Sequence, residues 1–121
     1  MKIDSFRFGS ISIDGRKYKC DVLIHADGSV EKRKGGLLMF GSHHIGKENF
    51  ERLCEVAGKP DLIVVGLGTD SVARIEKDAE DFARVSGIQI EALPSADAVS
   101  RLNMLFEEGK MKVAGLIHVT C

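Results

Sequence analysis

At 121 residues, 44% of them apolar and 29% charged, the chain has the length of a single domain (1–121) and the composition of a packed globular one. Lys plus Arg number 17 against 18 for Asp plus Glu, so a formal net charge of -1 excludes a general polyanion coat and disfavours nucleic acid as a partner. A chain of this size buries roughly two-thirds of its unfolded surface and needs neither disulfides nor a structural metal to hold a core. The longest apolar run, residues 62–65 followed by Gly-Leu-Gly, is far short of the ~20 residues of a spanning helix, which argues against membrane insertion. The first residues lack an apolar stretch and carry an early acid, Asp4, as expected of a mature cytoplasmic protein. Cys20, Cys54 and Cys121 are odd in number and lack C-x-x-C spacing, so they read as reduced thiols packed as small hydrophobes.

In chain order, residues 3–33 are punctuated by Asp14-Gly15 and Asp27-Gly28, a dipeptide that supplies the positive φ angles of two-residue hairpin turns. Tyr18, Cys20, Val22 and Ile24 alternate with Lys19, Asp21 and Leu23, so an antiparallel meander is expected, preceded by an extra strand at 3–8. Residues 33–44 lose the pattern. Gly35-Gly36 and Gly41-Ser42 mark an irregular connection around the apolar island 37–40, which reads as a loop packed over a core edge or as an interaction patch.

Phe50, Leu53, Cys54 and Ala57 recur at helical spacing, and Gly58 followed by Pro60 stops a short helix over about 47–57. Residues 61–65 form a β-branched run typical of a strand buried on both faces. Val72, Ile75, Ala79 and Phe82 line one side of a helix that Asp70 or Thr69 can cap. Ile88 and Ile90 mark a strand ended by Pro94. Ser95 can then cap a helix whose Ala98, Val99, Leu102, Leu105 and Phe106 face inward and whose stop is Gly109. Residues 113–119 are apolar enough for a central strand. The order predicts an α/β domain bordering on α+β: a three-layer β/β/α arrangement, with an N-terminal antiparallel meander, a C-terminal βαβαβ unit and helices over one outer face.

The sharpest local feature is Val64-Val65-Gly66-Leu67-Gly68-Thr69-Asp70-Ser71, a buried strand running into glycines and a helix start. Unpaired amides at a helix amino end form an anion cradle, so Gly66, Leu67, Gly68, Thr69 and Ser71 are candidate ligand-binding positions for a small anion or nucleotide. Ser71 replaces the third glycine of the dinucleotide fingerprint, and Asp70 repels an anion, so a plain strand-to-helix turn is the alternative. Arg101 and Asn103, on the last helix, are the side chains expected to approach the turn from its far side. The adjacent His43 and His44 diverge, His25 and His118 have no local ligand partner, and no Cys or His spacing matches a zinc site, so neither metal nor cofactor is expected. No serine sits in a nucleophile elbow, and no catalytic set is visible.

Taken together, the strand and turn 62–68, the helix segment Ala98-Val99-Ser100-Arg101-Leu102-Asn103-Met104-Leu105 with Glu108-Gly109, and the closing Val113-Ala114-Gly115-Leu116-Ile117 resemble a family of small domains. That family includes the adipogenesis-associated animal protein and the mitochondrial assembly factor of the NADH dehydrogenase (complex I) alpha subcomplex. The hairpin 9–30 is similar to the family's opening segment. The resemblance implies a three-layer β/β/α domain without an established activity and, in the mitochondrial branch, a role in assembling a respiratory complex. It supports a non-enzymatic module that holds a protein partner, with the glycine turn and Asn103 as the positions carried over. The other reading is a small-anion or nucleotide-binding protein, enzymatic or not, that uses the glycine turn 66–71.

Overall fold

Asp14 and Gly15 take φ of 50° and 81°, the pair of positive angles that a two-residue hairpin turn requires. That turn joins β2 (Ser10–Ile13) to β3 (Arg16–Tyr18), and β1 (Ile3–Arg7) pairs antiparallel along the other side of β2. The connection between β4 (Val22–Ile24) and β5 (Val30–Lys32) is built differently. Only Gly28 has a positive φ, 89°; its N–H donates to His25 O at 2.9 Å. The Asp27 carboxylate accepts from the Ser29 N–H and O–H at 2.9 and 2.6 Å. A longer loop, not the expected two-residue turn, therefore closes this hairpin.

The chain then continues through β6 (His44–Ile45), α1 (Lys47–Ala57), β7 (Leu62–Gly66), β8 (Arg74–Ile75), α2 (Lys77–Ser86), β9 (Gln89–Leu93), α3 (Ser95–Glu108) and β10 (Val113–Ile117). The structure is a computed structural model that describes residues 1–33 and 43–120; the apolar island 37–40 and Cys121 lie outside the described residues.

The fold is a three-layer α/β arrangement in which the amino-terminal meander divides between two sheets. Strands β1, β2 and β3 form a small sheet, whereas β4 and β5 join a five-stranded sheet in the order β5-β4-β10-β7-β9. Strand β10 pairs parallel to β7 and antiparallel to β4, and β7 pairs parallel to β9. The continuous apolar run of β7 reflects burial on both faces: Leu62 and Val64 enter one core, Ile63 and Val65 the other. The first core is filled by Ile3, Ile11 and Ile13 of the small sheet and by Ala98, Leu102 and Leu105 of α3. The second is filled by Phe50 and Leu53 of α1 and by Ala79 and Ala83 of α2.

Helices thus lie on both faces of the large sheet instead of one. The reason is topological. The step from β7 through α2 to β9 and the step from β9 through α3 back across β7 to β10 run in opposite directions along the sheet. Crossovers of one hand then place their helices on opposite faces. Helix α3 lies close on β10: a Cβ added to Gly115 would stand 2.7 Å from Leu102 Cδ1.

The segment after β7 departs most from expectation. No helix starts at Thr69 or Asp70; α2 begins at Lys77, after Glu76. Positive φ at Gly68 (102°) and Ser71 (56°) turns the chain away from a helical path. Val72 is left exposed, and Ile75 pairs in β8 with Ile45 of β6. Ser95 is not the cap of α3 either. Pro94 occupies that position without a side-chain cap, and the Ser95 hydroxyl is used elsewhere. At its other end α3 stops as expected, with Gly109 left-handed at φ 63° and its N–H donating to Leu105 O.

Candidate functional site

Strands β7 and β10 both end at the same side of the sheet, where open α/β sheets bind ligands. Two groups of residues meet there: the glycine turn expected from the sequence, and a buried ionic network that the sequence reading did not find.

The turn is packed, and four of its amides are occupied. Leu67 N–H donates to Leu93 O at 2.8 Å, Thr69 N–H to Thr120 O at 2.8 Å, and Ser71 N–H to Gly68 O at 3.3 Å. Gly68 N–H donates to Ser95 Oγ at 2.8 Å, and the Ser95 hydroxyl in turn donates to His118 O at 2.6 Å. The Ser95 N–H, at the start of α3, donates to Gly68 O at 3.1 Å, so this helix end is turned on the chain itself. Gly66 is required by this packing, because a Cβ there would lie 2.7 Å from Ser95 Oγ and 3.1 Å from Ser95 Cα.

Arg101 and Asn103 do not converge on the turn. Arg101 Nε and Nη2 donate to the two oxygens of Glu91 at 2.8 and 3.3 Å, tying α3 to β9. Asn103 fastens α3 to β1: its Oδ1 accepts from Ile3 N–H at 2.8 Å and its Nδ2 donates to Ile3 O at 2.9 Å. The expected approach of either side chain to 66–71 is therefore replaced by a partner elsewhere.

The network centres on Asp21, just before β4. Because β4 runs antiparallel to β10, the start of the first lies beside the end of the second. Asp21 Oδ2 accepts from Arg33 Nη1 and from His118 Nδ1, each at 2.8 Å, while Oδ1 accepts from Val119 N–H at 2.9 Å. Burial pushes the Asp21 carboxyl up, but hydrogen bonds from His118, Val119 and Arg33 outweigh it and hold the group below its ordinary range. Arg33 also donates from Nε to Asn49 Oδ1 at 3.3 Å and from Nη2 to His44 O at 2.6 Å, joining β5 to α1 and β6.

His118 is 2% exposed. With its Nδ1 proton on Asp21, its Nε2 accepts from the Thr120 hydroxyl at 3.1 Å. The His43 ring stands edge-on to it, with centroids 5.1 Å apart. An acid holding one imidazole nitrogen while a hydroxyl faces the other is the arrangement that activates a nucleophile. His25 and Glu31 form a separate pair at 2.7 Å, extended to Arg52 at 2.8 Å. Among the described residues, no group of three or more His, Cys, Asp or Glu could hold a metal ion. Cys20 and Cys54 are half-buried, and burial pushes both thiols up. No helix among the described residues is long and apolar enough to cross a membrane.

Asp21 and His118 stand 97 positions apart in sequence. The available signal was composition at strand ends: an acid immediately before Val22 and a histidine immediately after the apolar run 113–117, both at positions that burial makes costly unless paired.

No curated protein matches the chain. Solved structures do. The chain is similar to a conserved hypothetical protein of Pyrococcus horikoshii OT3, PH1505, at 27% identity and a TM-score of 0.85 over 100% of both chains. It is similar to the protein MT938 at 31% identity and a TM-score of 0.80, covering 99% of this chain and 98% of the other. A Bordetella pertussis protein described as a Mth938-like domain shares the fold at 17% identity and a TM-score of 0.69, over 98% of this chain and 85% of that one. The profile of one family matches residues 3–118, nearly the whole chain, and the chain belongs to that family, described as Protein of unknown function (DUF498/DUF598).

Proposed function

We propose that the domain is a non-enzymatic binding module of the cytoplasm that holds a protein partner, in the manner of an assembly factor. The observation that carries this reading is the filled glycine turn. The amides of Leu67, Gly68, Thr69 and Ser71 are all spent within the chain, so the feature best suited to a small anion has little left to offer one. The resemblance to the complex I assembly factor supports the same class of role. The other reading, a small anion or nucleotide at 66–71 held by Arg101 or Asn103, loses its side-chain partners to Glu91 and Ile3.

A thermal-shift screen with phosphate, nucleotides and phosphorylated metabolites tests the choice. Neither the parent nor Arg101→Ala is expected to shift. A concentration-dependent rise in the parent's Tm that Arg101→Ala lacks would overturn the module reading in favour of the anion site.

One observation favours a second reading, acid–base chemistry at the Asp21–His118–Thr120 row. In it the Thr120 oxygen attacks the carbonyl carbon of an ester as its proton passes to His118 Nε2; the carbon–alkoxide bond breaks, the departing alcohol takes that proton back from His118, and water then hydrolyses the acyl-threonine. The pairing of Arg33 with the same Asp21 oxygen and the burial of His118 suit a structural tie better. An ester-hydrolysis burst in the parent that His118→Gln and Thr120→Val both abolish would establish the second reading.

A further inference from the structure

We propose that the groove between the edge strands β3 and β5 of the two sheets receives an acidic segment of the partner in extended conformation, added as a strand beside β3. This rests on the module reading above and names its contact surface and the chemistry of what binds there.

The groove encloses about 480 Å³ and is lined by Arg16, Lys17, Tyr18, Lys19 and Cys20 of the β3 segment and by Lys32 of β5. Strand β3 is the edge of the small sheet and β5 the edge of the large one. Four of the six lining residues are cations and none is an acid. None of the four has a carboxylate partner among the described residues. In a chain with 18 acids against 17 cations, carboxylates are not scarce.

The acids nearest in sequence are engaged elsewhere. Asp21 turns inward to Arg33 and His118, Glu31 is held by Arg52 and His25, and Asp14 accepts the Lys2 N–H. Exposed Arg16 lays its guanidinium over the Tyr18 ring at 5.3 Å, which fixes one cation at the groove wall while Tyr18 itself is buried. The four like charges repel one another, and a negative ligand relieves that repulsion.

The backbone selects the kind of anion. Residues 16–19 make no backbone hydrogen bond beyond their ladder to β2, so the outer edge of β3 keeps its N–H and C=O groups unpaired among the described residues. A peptide strand supplies donors and acceptors at the matching spacing; a sugar–phosphate chain does not. Lysine on an edge strand also discourages pairing with neutral strands of other molecules, so the same charges that exclude general aggregation admit an acidic strand. With only three residues in β3, the paired stretch is short and the binding depends on charge, hence on salt.

The test uses the full chain and a fluorescein-labelled ten-residue peptide of alternating glutamate and threonine, read by anisotropy. Controls are the same peptide with lysine for glutamate, one with alternate backbone amides N-methylated, oligouridine and tripolyphosphate. The glutamate peptide is expected to bind, to weaken as salt rises, and to slow hydrogen exchange at the backbone amides of 16–19. The triple variant Lys17→Glu/Lys19→Glu/Lys32→Glu, all at exposed positions, should fold as the parent by circular dichroism and bind about tenfold or more weakly. N-methylation should cost a similar factor.

Equal binding by the parent and the triple variant, or no binding by either, overturns the groove. Binding of the N-methylated peptide as tight as its parent overturns strand addition, and tighter binding of oligouridine or tripolyphosphate reassigns the groove to phosphate. Capture of the native partner by immobilised parent and triple variant separates the two levels. A partner retained equally by both leaves the module reading standing and removes the groove; capture by neither, with no peptide binding, removes both.

Discussion

Replacing Ser95 by alanine isolates how much of the domain's stability depends on the contact between α3 and the glycine turn. The Ser95 side chain is fully buried, accepts from Gly68 N–H at 2.8 Å and donates to His118 O at 2.6 Å. Alanine removes both hydrogen bonds and leaves the buried Gly68 N–H and His118 O without a partner. Each such group costs about 1–3 kcal/mol. Alanine's better helix propensity returns about 0.5 kcal/mol at the first position of α3. The expected net loss is about 3 kcal/mol, which at a urea m-value of about 2 kcal/mol/M lowers the unfolding midpoint by about 1.5 M. Ser100→Ala is the control: that hydroxyl is exposed and reaches Ala96 O only at 3.4 Å, so the change should stay within about 0.5 kcal/mol. A Ser95→Ala loss no larger than the control's would refute the argument that the turn is closed by this hydroxyl.

Asp21→Asn should flatten the acid limb of the stability curve. The folded carboxyl is held below its ordinary value of 3.8, so its contribution is present above that value and is lost as the pH falls through the lower, folded one. Urea midpoints measured from pH 6 down should fall less steeply in the variant below about pH 4. Asn103→Ala removes both bonds to Ile3 and should cost about 1–2 kcal/mol, with faster hydrogen exchange at the Ile3 amide. Leu105→Ala, at a buried position of the first core, should cost about 3 kcal/mol in the same unfolding assay. Phe82→Ala should cost less than Leu105→Ala despite its larger side chain, because Phe82 is only half-buried against the second core.

The elements legible in the sequence are those whose burial is one-sided at helical spacing or continuous. Phe50 and Leu53 mark the inner face of α1, and Ala98, Leu102 and Leu105 that of α3; the run 62–65 marks β7. The segment 69–76 misled because Val72, Ile75 and Ala79 fall at helical spacing by coincidence. They serve three different environments, an exposed loop, a two-residue strand and the inner face of α2. The division of the meander escaped because strands of three to five residues carry too few alternations to say which sheet they join. At the site, the glycine turn was visible as a local motif, but what fills it was not. Ser95 is 27 positions from Gly68, and the Asp21–His118 contact spans nearly the whole chain. Local patterns report which residues are buried; they do not report which buried polar groups meet.

The placement of β10 bears on how the chain is made. It is the last strand in chain order among the described residues, yet it lies at the middle of the large sheet, between β4 and β7. As the polypeptide leaves the ribosome, the β4–β5 hairpin and the β7–α2–β9 unit emerge early, each with an apolar inner edge that has no neighbour until residues 113–117 arrive. The central pairings are therefore among the most distant in sequence, which favours slow folding. A chain interrupted before Val113 presents two open strand edges on either side of a missing centre, and the strand that fits them best is the β10 of another copy.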